Sequence, residues 1–102
     1  MTVNPVGLFD ETFGNLEKAM TVATRRQAVL ADNIANAKTP GYRPKDFDSE
    51  LMQAVERQDQ KQVNLEQEMA LLTENSVKYS AYLKMMTGKL GLLKSIVTQG
   101  RR

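Results

Sequence analysis

The sequence contains no cysteine, no histidine and no tryptophan among its 102 residues. Disulfide bonds, thiol nucleophiles, histidine general bases and zinc fingers are therefore excluded. No apolar run approaches the ~20 residues of a transmembrane helix, so the chain is not expected to span a membrane. The N-terminal stretch MTVNPVGLFDETF lacks a basic region followed by an apolar one, and it therefore does not look like a cleavable secretory signal.

The net charge of +2 hides a gradient along the chain. Between Asp46 and Glu74 there are eight acidic residues against Arg57 and Lys61, whereas from Ser76 onward every charged residue is basic. The late lysines are interleaved with apolar residues, and no nucleic-acid recognition motif accompanies them. A solvated helix face explains them, and no nucleic-acid partner is expected.

The first third of the chain carries the pattern of a long amphipathic helix, expected over residues 8–37. Apolar residues alternate at intervals of four and three, with Gln27 as the one polar residue on the stripe. The apolar members are Phe9, Phe13, Leu16, Met20, Ala23, Leu30, Ile34 and Ala37.

A second long helix is expected over residues 64–99. Asn64 is a good N-cap, Gln67 completes a capping-box pattern, and Gly100 fits the position after the helix. Its apolar seam is expected to pair with the first helix. The seam consists of Leu65, Met69, Leu72, Ser76, Tyr79, Leu83, Met86, Leu90, Leu93 and Val97.

A further group of apolar and small residues, here called the second stripe, flanks that seam. One partner helix cannot cover both, so the second stripe predicts an assembly interface with other chains. Its members are Val77, Ala81, Met85, Gly88, Leu92 and Ile96.

The connector between the helices, residues 38–63, begins with a turn. In TPGY, Pro40 suits position i+1 and Gly41 position i+2 of a type II turn. Asp48 is expected to cap a short connector helix, with Phe47 and Met52 as its hydrophobic staple. The polar run ERQDQKQ after it is expected to be a solvated helix end or a flexible joint. The whole chain, 1–102, is predicted to be one all-α domain.

Two acidic pairs, Asp46 with Asp48 and Glu66 with Glu68, are the only candidates for catalysis or metal binding. Both pairs lie at expected helix starts, where capping explains them. No arrangement of nucleophile, base and orienting group accompanies them. The sequence therefore predicts a protein that is not an enzyme and that holds neither a metal nor a cofactor.

The stretch LADNIANAKTPGY, from Leu30 to Tyr42, resembles the signature of bacterial flagellar rod and hook proteins. In that family Asn-Ile-Ala-Asn closes the N-terminal helix and Thr-Pro-Gly-Tyr follows. The run VNLEQEMALLTENSVKYSAYLKMMTGKLGLLKSIV is similar to the family's C-terminal helix. Family members usually carry a longer middle segment than MQAVERQDQKQ.

The resemblance implies two long helices paired as an antiparallel coiled-coil hairpin. It implies a structural subunit of the proximal rod of the flagellar basal body, polymerising through its terminal helices. The implied partners are further copies of the chain, other rod proteins, the adaptor between rod and membrane ring, and the export apparatus. The implied location is the periplasmic rod, reached by type III export without a cleaved signal.

The same stretch is expected to be a rigid elbow between the first helix and the connector. Asparagine can hydrogen-bond backbone groups where a helix ends, and the Pro-Gly pair fixes the direction of the outgoing chain. The elbow residues are Asn33, Ile34, Ala35, Asn36, Thr39, Pro40, Gly41 and Tyr42.

Two other functions remain compatible with the pattern. A soluble helical adaptor or chaperone could grip a partner helix in its apolar groove, and the chain could belong to another part of the flagellar axis. An adaptor would be a defined monomer or dimer, whereas a rod subunit would polymerise.

Overall fold

The computed structural model describes the backbone of residues 5–100 and the side chains of residues 10–100. Two long α-helices make up most of it: α1, Pro5–Ala35, and α2, Leu65–Gln99. Between them lie the elbow and a two-stranded β-hairpin. Neither described helix contains a stretch long and apolar enough to cross a membrane.

The two helices run antiparallel along a molecule with extents of 65 × 25 × 15 Å. Asn33, near the end of α1, bonds Glu68 near the start of α2. Ala23, nearly three turns earlier in α1, bonds Asn75, two turns later in α2. Contacts therefore progress in opposite directions along the two helices, as the predicted helical hairpin requires.

The buried apolar residues of α1 repeat at intervals of seven. Leu16, Ala23 and Leu30 are all buried, and they lie on the predicted stripe. The side chain of Phe9 lies outside the described residues. The helix ends at Ala35, so Ala37 falls in the turn that follows. Among the described residues, α1 thus contributes a single row of three apolar side chains to the core.

The start of α2 has the predicted N-cap. Asn64 has an extended backbone, and its side-chain oxygen accepts a hydrogen bond from the Gln67 amide at 3.2 Å. The Gln67 side chain instead accepts from Gln60 Nε2 at 3.1 Å. At the other end Gly100 follows the last helical residue in a right-handed conformation, with φ −66°, and not in the left-handed one that glycine often supplies.

The orientation of α2 differs from the predicted seam. Its buried residues are polar, Glu68 and Asn75, whereas seam residues such as Leu65, Met69 and Leu90 are about half exposed. A buried carboxylate or amide needs partners, and the inward face supplies most of them: Glu68 bonds Arg57 and Asn33, and Asn75 Nδ2 bonds α1, whereas Asn75 Oδ1 is buried without a partner among the described residues. Much of the apolar seam lies in solvent.

The connector corrects the prediction of an all-α fold with a short connector helix. It forms two antiparallel strands, β1, Lys45–Asp48, and β2, Gln53–Glu56, with Lys45 opposite Glu56 and Asp48 opposite Gln53. Strand β1 lies against α1, and Phe47 is buried. The alternation of side chains along a strand allows Phe47 to face inward while its neighbours Asp46 and Asp48 do not.

Asp48 does cap backbone amides, but those of the hairpin turn. Its Oδ1 accepts from the amides of Glu50 at 2.9 Å and Leu51 at 3.0 Å. Met52 closes the turn with a left-handed backbone, φ +53°. An aspartate that satisfies nearby amides is equally compatible with a helix start and a tight turn, which explains why the connector helix was predicted wrongly.

Candidate functional site

The elbow contains a reverse turn from Thr39 to Tyr42. The Tyr42 amide donates to the Thr39 carbonyl at 3.2 Å, and Gly41 has φ +78°. Pro40 at position i+1 and a positive φ at position i+2 are the features of a type II turn. The predicted turn is therefore present, and it directs the chain from α1 toward β1.

Asn36 stabilises the transition from α1 to that turn. Its Nδ2 donates to the Asp32 carbonyl at 2.9 Å, and its Oδ1 accepts from the Thr39 hydroxyl at 3.1 Å. The Thr39 amide also donates to the Asn36 carbonyl at 3.0 Å. The Asp32 carbonyl also accepts the Asn36 backbone amide at 3.0 Å, so one asparagine bonds it twice and holds the first residue of the turn.

Asn33 is fully buried, and all four hydrogen-bonding positions of its amide are used. Its Nδ2 donates to the Lys45 carbonyl at 2.8 Å and to Glu68 Oε2 at 3.0 Å. Its Oδ1 accepts from the Tyr42 hydroxyl at 2.9 Å and from the Lys45 amide at 3.0 Å. A single side chain therefore joins α1, the turn, the start of β1 and α2.

Tyr42 supplies one of those four bonds as a protonated phenol. The pKa of Tyr42 is raised above 10, mainly because burial disfavours the phenolate and also because Asp32 and Glu68 repel negative charge. Arg57 acts weakly in the opposite direction. Tyr42 thus remains a donor to Asn33 throughout the neutral range.

Arg57 is the buried centre of the connector. Its guanidinium donates to both carboxylate oxygens of Glu68, from Nη1 to Oε1 and from Nη2 to Oε2 at 3.1 Å. Its Nε donates to Asp46 Oδ1 at 2.7 Å, and its Nη1 also donates to Gln60 Oε1 at 3.1 Å. Hydrogen bonding to Glu68 raises the pKa of Arg57, so the guanidinium stays charged. We call Asn33, Tyr42, Asp46, Arg57 and Glu68 the polar cluster.

Sequence reasoning missed Arg57 and the role of Glu68. Arg57 lies in the polar run that was expected to be solvated, and Glu68 was explained by the helix dipole alone. One signal was available: Arg57 is one of only two basic residues in an acidic segment. An arginine in a segment rich in carboxylates is well suited to pair with a carboxylate that becomes buried.

Ile34 and Ala35 complete the set of predicted elbow residues. Ile34 is half-buried and its carbonyl accepts from the Ala37 amide at 3.3 Å, while Ala35 is exposed. Neither has a side chain that can join the polar cluster. The structure therefore brings together Asn33 and Tyr42, and it gives Asn36, Thr39, Pro40 and Gly41 to the turn.

A second buried polar contact joins the helices two turns from the polar cluster. Asn75 Nδ2 donates to the Ala23 carbonyl at 2.7 Å and to Gln27 Oε1 at 2.8 Å. Gln27 Nε2 in turn donates to the Ser76 hydroxyl at 3.2 Å. Gln27, the one polar residue on the predicted stripe of α1, thus has its partners on α2.

The second stripe is solvent-exposed along its length in the single chain. Val77 is 65% exposed, Leu92 55%, Met85 52% and Ile96 46%. Ala81 and Gly88 are exposed too, and a side-chain carbon added at Gly88 would meet nothing within 4 Å. Nothing within the described chain covers this face.

Within the described residues, no group of three or more histidine, cysteine, aspartate or glutamate side chains could hold a metal ion. Asp46 is committed to Arg57, Asp48 to the hairpin turn, and Glu68 to the polar cluster. Three of the four carboxylates considered for chemistry in the sequence thus have structural partners.

Comparison with known proteins shows which proteins the chain is similar to. A family profile described as "Flagella basal body rod protein" matches residues 14–43. The match includes the elbow, with the buried Asn33 and with Asn36 at the turn. Over these residues the chain is similar to flagellar basal-body rod proteins. Its relatives include the flagellar basal body rod protein FlgB of Bacillus subtilis, 28% identical over 94% of this chain and 100% of that protein.

Two further FlgB relatives match shorter regions with higher identity. The Aeromonas hydrophila protein is 41% identical over 53% of this chain and 39% of its own length. The Escherichia coli protein is 49% identical over 40% of this chain and 31% of its own length. In those two comparisons the chain covers well under half of the relative.

The alignment with the Bacillus subtilis rod protein spans 129 positions, more than the 102 residues of this chain. The relative therefore has residues that this chain lacks, as the short middle segment had indicated. The flagellar basal-body rod family is structural, which confirms the prediction that the chain is not an enzyme.

Proposed function

We propose that the chain is a structural subunit of the proximal flagellar rod and that it polymerises through its terminal helices. The observation that carries the proposal is the exposed apolar surface of α2. Large hydrophobic residues from Leu65 to Val97 are exposed on two sides of this helix, although α1 already packs against it. Apolar faces of this extent on a soluble chain are typical of surfaces that bind other proteins.

The energetics favour burial of this surface in an assembly. Each of Val77, Met85, Leu92 and Ile96 would gain ~1.5–3 kcal/mol on full burial. A helical polymer repeats the contact at every subunit, so the gain recurs along the rod. The intramolecular core is comparatively small, with Leu16, Ala23, Leu30 and Phe47 as its buried apolar residues in the described chain.

The elbow and the polar cluster would hold the hairpin at a fixed angle to the helices. Asn33 joins α1, the turn, β1 and α2, and Arg57 joins the end of β2 to α2. In a rod, where every subunit must present the same outline, a rigid connection serves assembly better than a flexible one. We assign this positioning role to the eight predicted elbow residues together with Arg57 and Glu68.

The helix pairing has the seven-residue spacing of a coiled coil. Leu16, Ala23 and Leu30 are buried on α1, and Glu68 and Asn75 are buried on α2, each at intervals of seven. We propose that the chain acts as one unit, 1–102, whose two helices form an antiparallel coiled-coil hairpin with polar residues fixing the register.

The implied partners and location follow from the family. We propose contacts with other copies, other rod proteins, the adaptor between rod and membrane ring, and the export apparatus. The chain would reach the periplasmic rod by type III export without a cleaved signal, as part of the flagellar basal body.

Replacement of Leu92 and Ile96 together by lysine tests this function. Both are exposed in the single chain, so the helix content and unfolding midpoint of the purified variant should stay close to wild type. In the rod the two charges would enter an apolar contact, and we expect a soluble, exported protein that is missing from isolated basal bodies, in cells that do not swim.

Thr87→Lys with Thr98→Lys is the matched control. Both threonines are exposed on α2, and neither belongs to the second stripe. This control should incorporate normally. Normal incorporation of the Leu92/Ile96 variant would refute the interface, and unfolding of that variant as a monomer would favour the adaptor function.

A further inference from the structure

A cleft opens beside the elbow and shares Tyr42 with the polar cluster. It has a volume of about 630 Å3 and is lined by residues 37–43 and 61–63. Three cationic side chains line it: Lys38 between α1 and the turn, Arg43 after the turn, and Lys61 before α2. We call this the basic cleft.

The cations of the basic cleft have no acidic partner. Among the described residues that line the cleft there is no aspartate or glutamate, and none of the described ion pairs involves Lys38, Arg43 or Lys61. Arg43 Nε is buried without an acceptor. Three like charges around one cavity repel one another, and a carboxylate placed among them would relieve that repulsion.

Carboxylates without cationic partners lie on the same chain, in the connector. Glu50 in the hairpin turn, Glu56 at the end of β2 and Asp59 after it are all exposed. No ion pair of the described chain includes them. The acidic members of those pairs are Asp46 and Glu68, which bind Arg57, and Glu74, which binds Lys78. One chain thus presents a set of unpaired cations and a separate set of unpaired anions.

We propose that the basic cleft of one copy binds the acidic connector of a second copy, residues 50–59. The inference rests on the proposed function and names a contact within the rod in addition to the second stripe. When the contact is not reciprocated by the same neighbour it is head-to-tail, and it then continues from copy to copy as a ring or a helical polymer. Arginine suits the role, because its planar donors match a carboxylate.

Electrostatic contacts of this kind weaken as salt is added. The second-stripe contact is apolar, so salt does not screen it in the same way. Self-association of the full chain should therefore contain a salt-sensitive part that disappears when the charges of the basic cleft are reversed.

Sedimentation velocity of the purified full chain over a range of concentrations, at low and at high salt, tests the proposal. Lys38→Glu with Lys61→Glu should weaken association about tenfold or more at low salt, because like charges then face each other. Lys84→Glu with Lys94→Glu, the same charge change at exposed α2 positions, should leave association near wild type. Lys38→Gln with Lys61→Gln should give an intermediate loss.

A mixing experiment separates a lost contact from a damaged fold. Glu50→Lys with Glu56→Lys should weaken association alone, and mixing it with Lys38→Glu/Lys61→Glu should restore association at low salt, because each altered surface then meets its complement. Restoration supports the proposal. Wild-type association of either variant alone, or failure of the mixture to associate, would overturn it.

The outcomes also separate this inference from the proposed function. If Leu92→Lys/Ile96→Lys is absent from basal bodies while the cleft variants associate as wild type does, the rod function stands and the basic cleft is not a contact. If the cleft variants bind vesicles of anionic lipid less well than wild type without any change in self-association, the cleft serves a membrane surface and the proposal is wrong.

Discussion

Arg57 and Glu68 form a doubly hydrogen-bonded ion pair in the interior of the molecule. Arg57 Nη2 donates to Glu68 Oε2 at 3.1 Å, and Nη1 donates to Oε1. The Glu68 side chain is fully buried and that of Arg57 is 5% exposed. The pair connects the segment after β2 to α2, so the position of the hairpin depends on it.

Removing one member of this pair should be more harmful than removing both. Arg57→Met leaves the Glu68 carboxylate buried without its cation, and we expect a loss of ~3–5 kcal/mol in the free energy of unfolding. The double variant Arg57→Met/Glu68→Leu should recover much of that loss. Urea denaturation followed by circular dichroism measures both.

Lys78→Met is the matched control for this prediction. It breaks the exposed pair between Lys78 and Glu74, and it should cost less than ~1 kcal/mol. An equal loss in Arg57→Met and Lys78→Met would show that the buried pair does not hold the fold.

The two elbow asparagines should differ in importance. Asn33→Ala removes four hydrogen bonds, and the partly buried amide and carbonyl of Lys45 lose their side-chain partner. Each backbone group left without a partner should lower the free energy of unfolding by ~1–3 kcal/mol. Asn36→Ala removes local bonds at a helix end and should cost ~0.5–2 kcal/mol, as capping residues do. Amide hydrogen exchange at Lys45 should accelerate in the Asn33 variant and stay slow in the Asn36 variant.

Tyr42 should make stability depend on alkaline pH. Its folded-state pKa is raised above the unfolded value of 10.0, so the unfolded chain loses the phenolic proton first. The stability it contributes is fully present below pH ~10 and is lost as the pH rises through the folded-state pKa. The difference in unfolding free energy between wild type and Tyr42→Phe should be constant up to pH ~10 and shrink above it. A difference that grows there would contradict the prediction.

The reverse turn should tolerate substitution poorly. Gly41 has φ +78°, where alanine costs ~1–2 kcal/mol. We expect Pro40→Ala/Gly41→Ala to remain soluble and helical, to misdirect the hairpin and to abolish rod assembly, as scored by swimming in soft agar. Gly14→Ala, in the open interior of α1, should instead add ~1 kcal/mol of stability and leave motility intact. Normal swimming of the double variant would refute the elbow's role in assembly.

The features that sequence reasoning predicted well are those set by local chemistry. Two long helices follow from apolar periodicity, the Asn64 cap from its position before that periodicity, and the turn from the Pro40–Gly41 pair. Each depends on residues within a few positions of one another. Such signals survive in a single sequence because no distant partner is needed to produce them.

The features that it missed depend on residues distant in the sequence. Asp48 satisfies amides in either a helix start or a hairpin turn, and only the packing of β1 on α1 decides between them. The inward orientation of α2 is set by Arg57 and Asn33 acting on Glu68, two segments that the sequence does not show to be neighbours. The helix dipole alone explains a carboxylate such as Glu68 in the first turn of a helix. The sequence therefore provided no reason to expect its bonds to Arg57 and Asn33.

The polar cluster also has a kinetic consequence. All but one of its hydrogen bonds close short loops: Tyr42 lies nine residues from Asn33, and Arg57 lies eleven from both Asp46 and Glu68, whereas Asn33 and Glu68 are 35 residues apart. Asn75 and Ala23, by contrast, are 52 residues apart. Because closing a longer loop costs more entropy, we expect the elbow end to fold first and the far ends of the helices to join it last. A subunit could therefore reach the rod with its elbow already folded, and the far ends of its helices would then pack against neighbouring subunits.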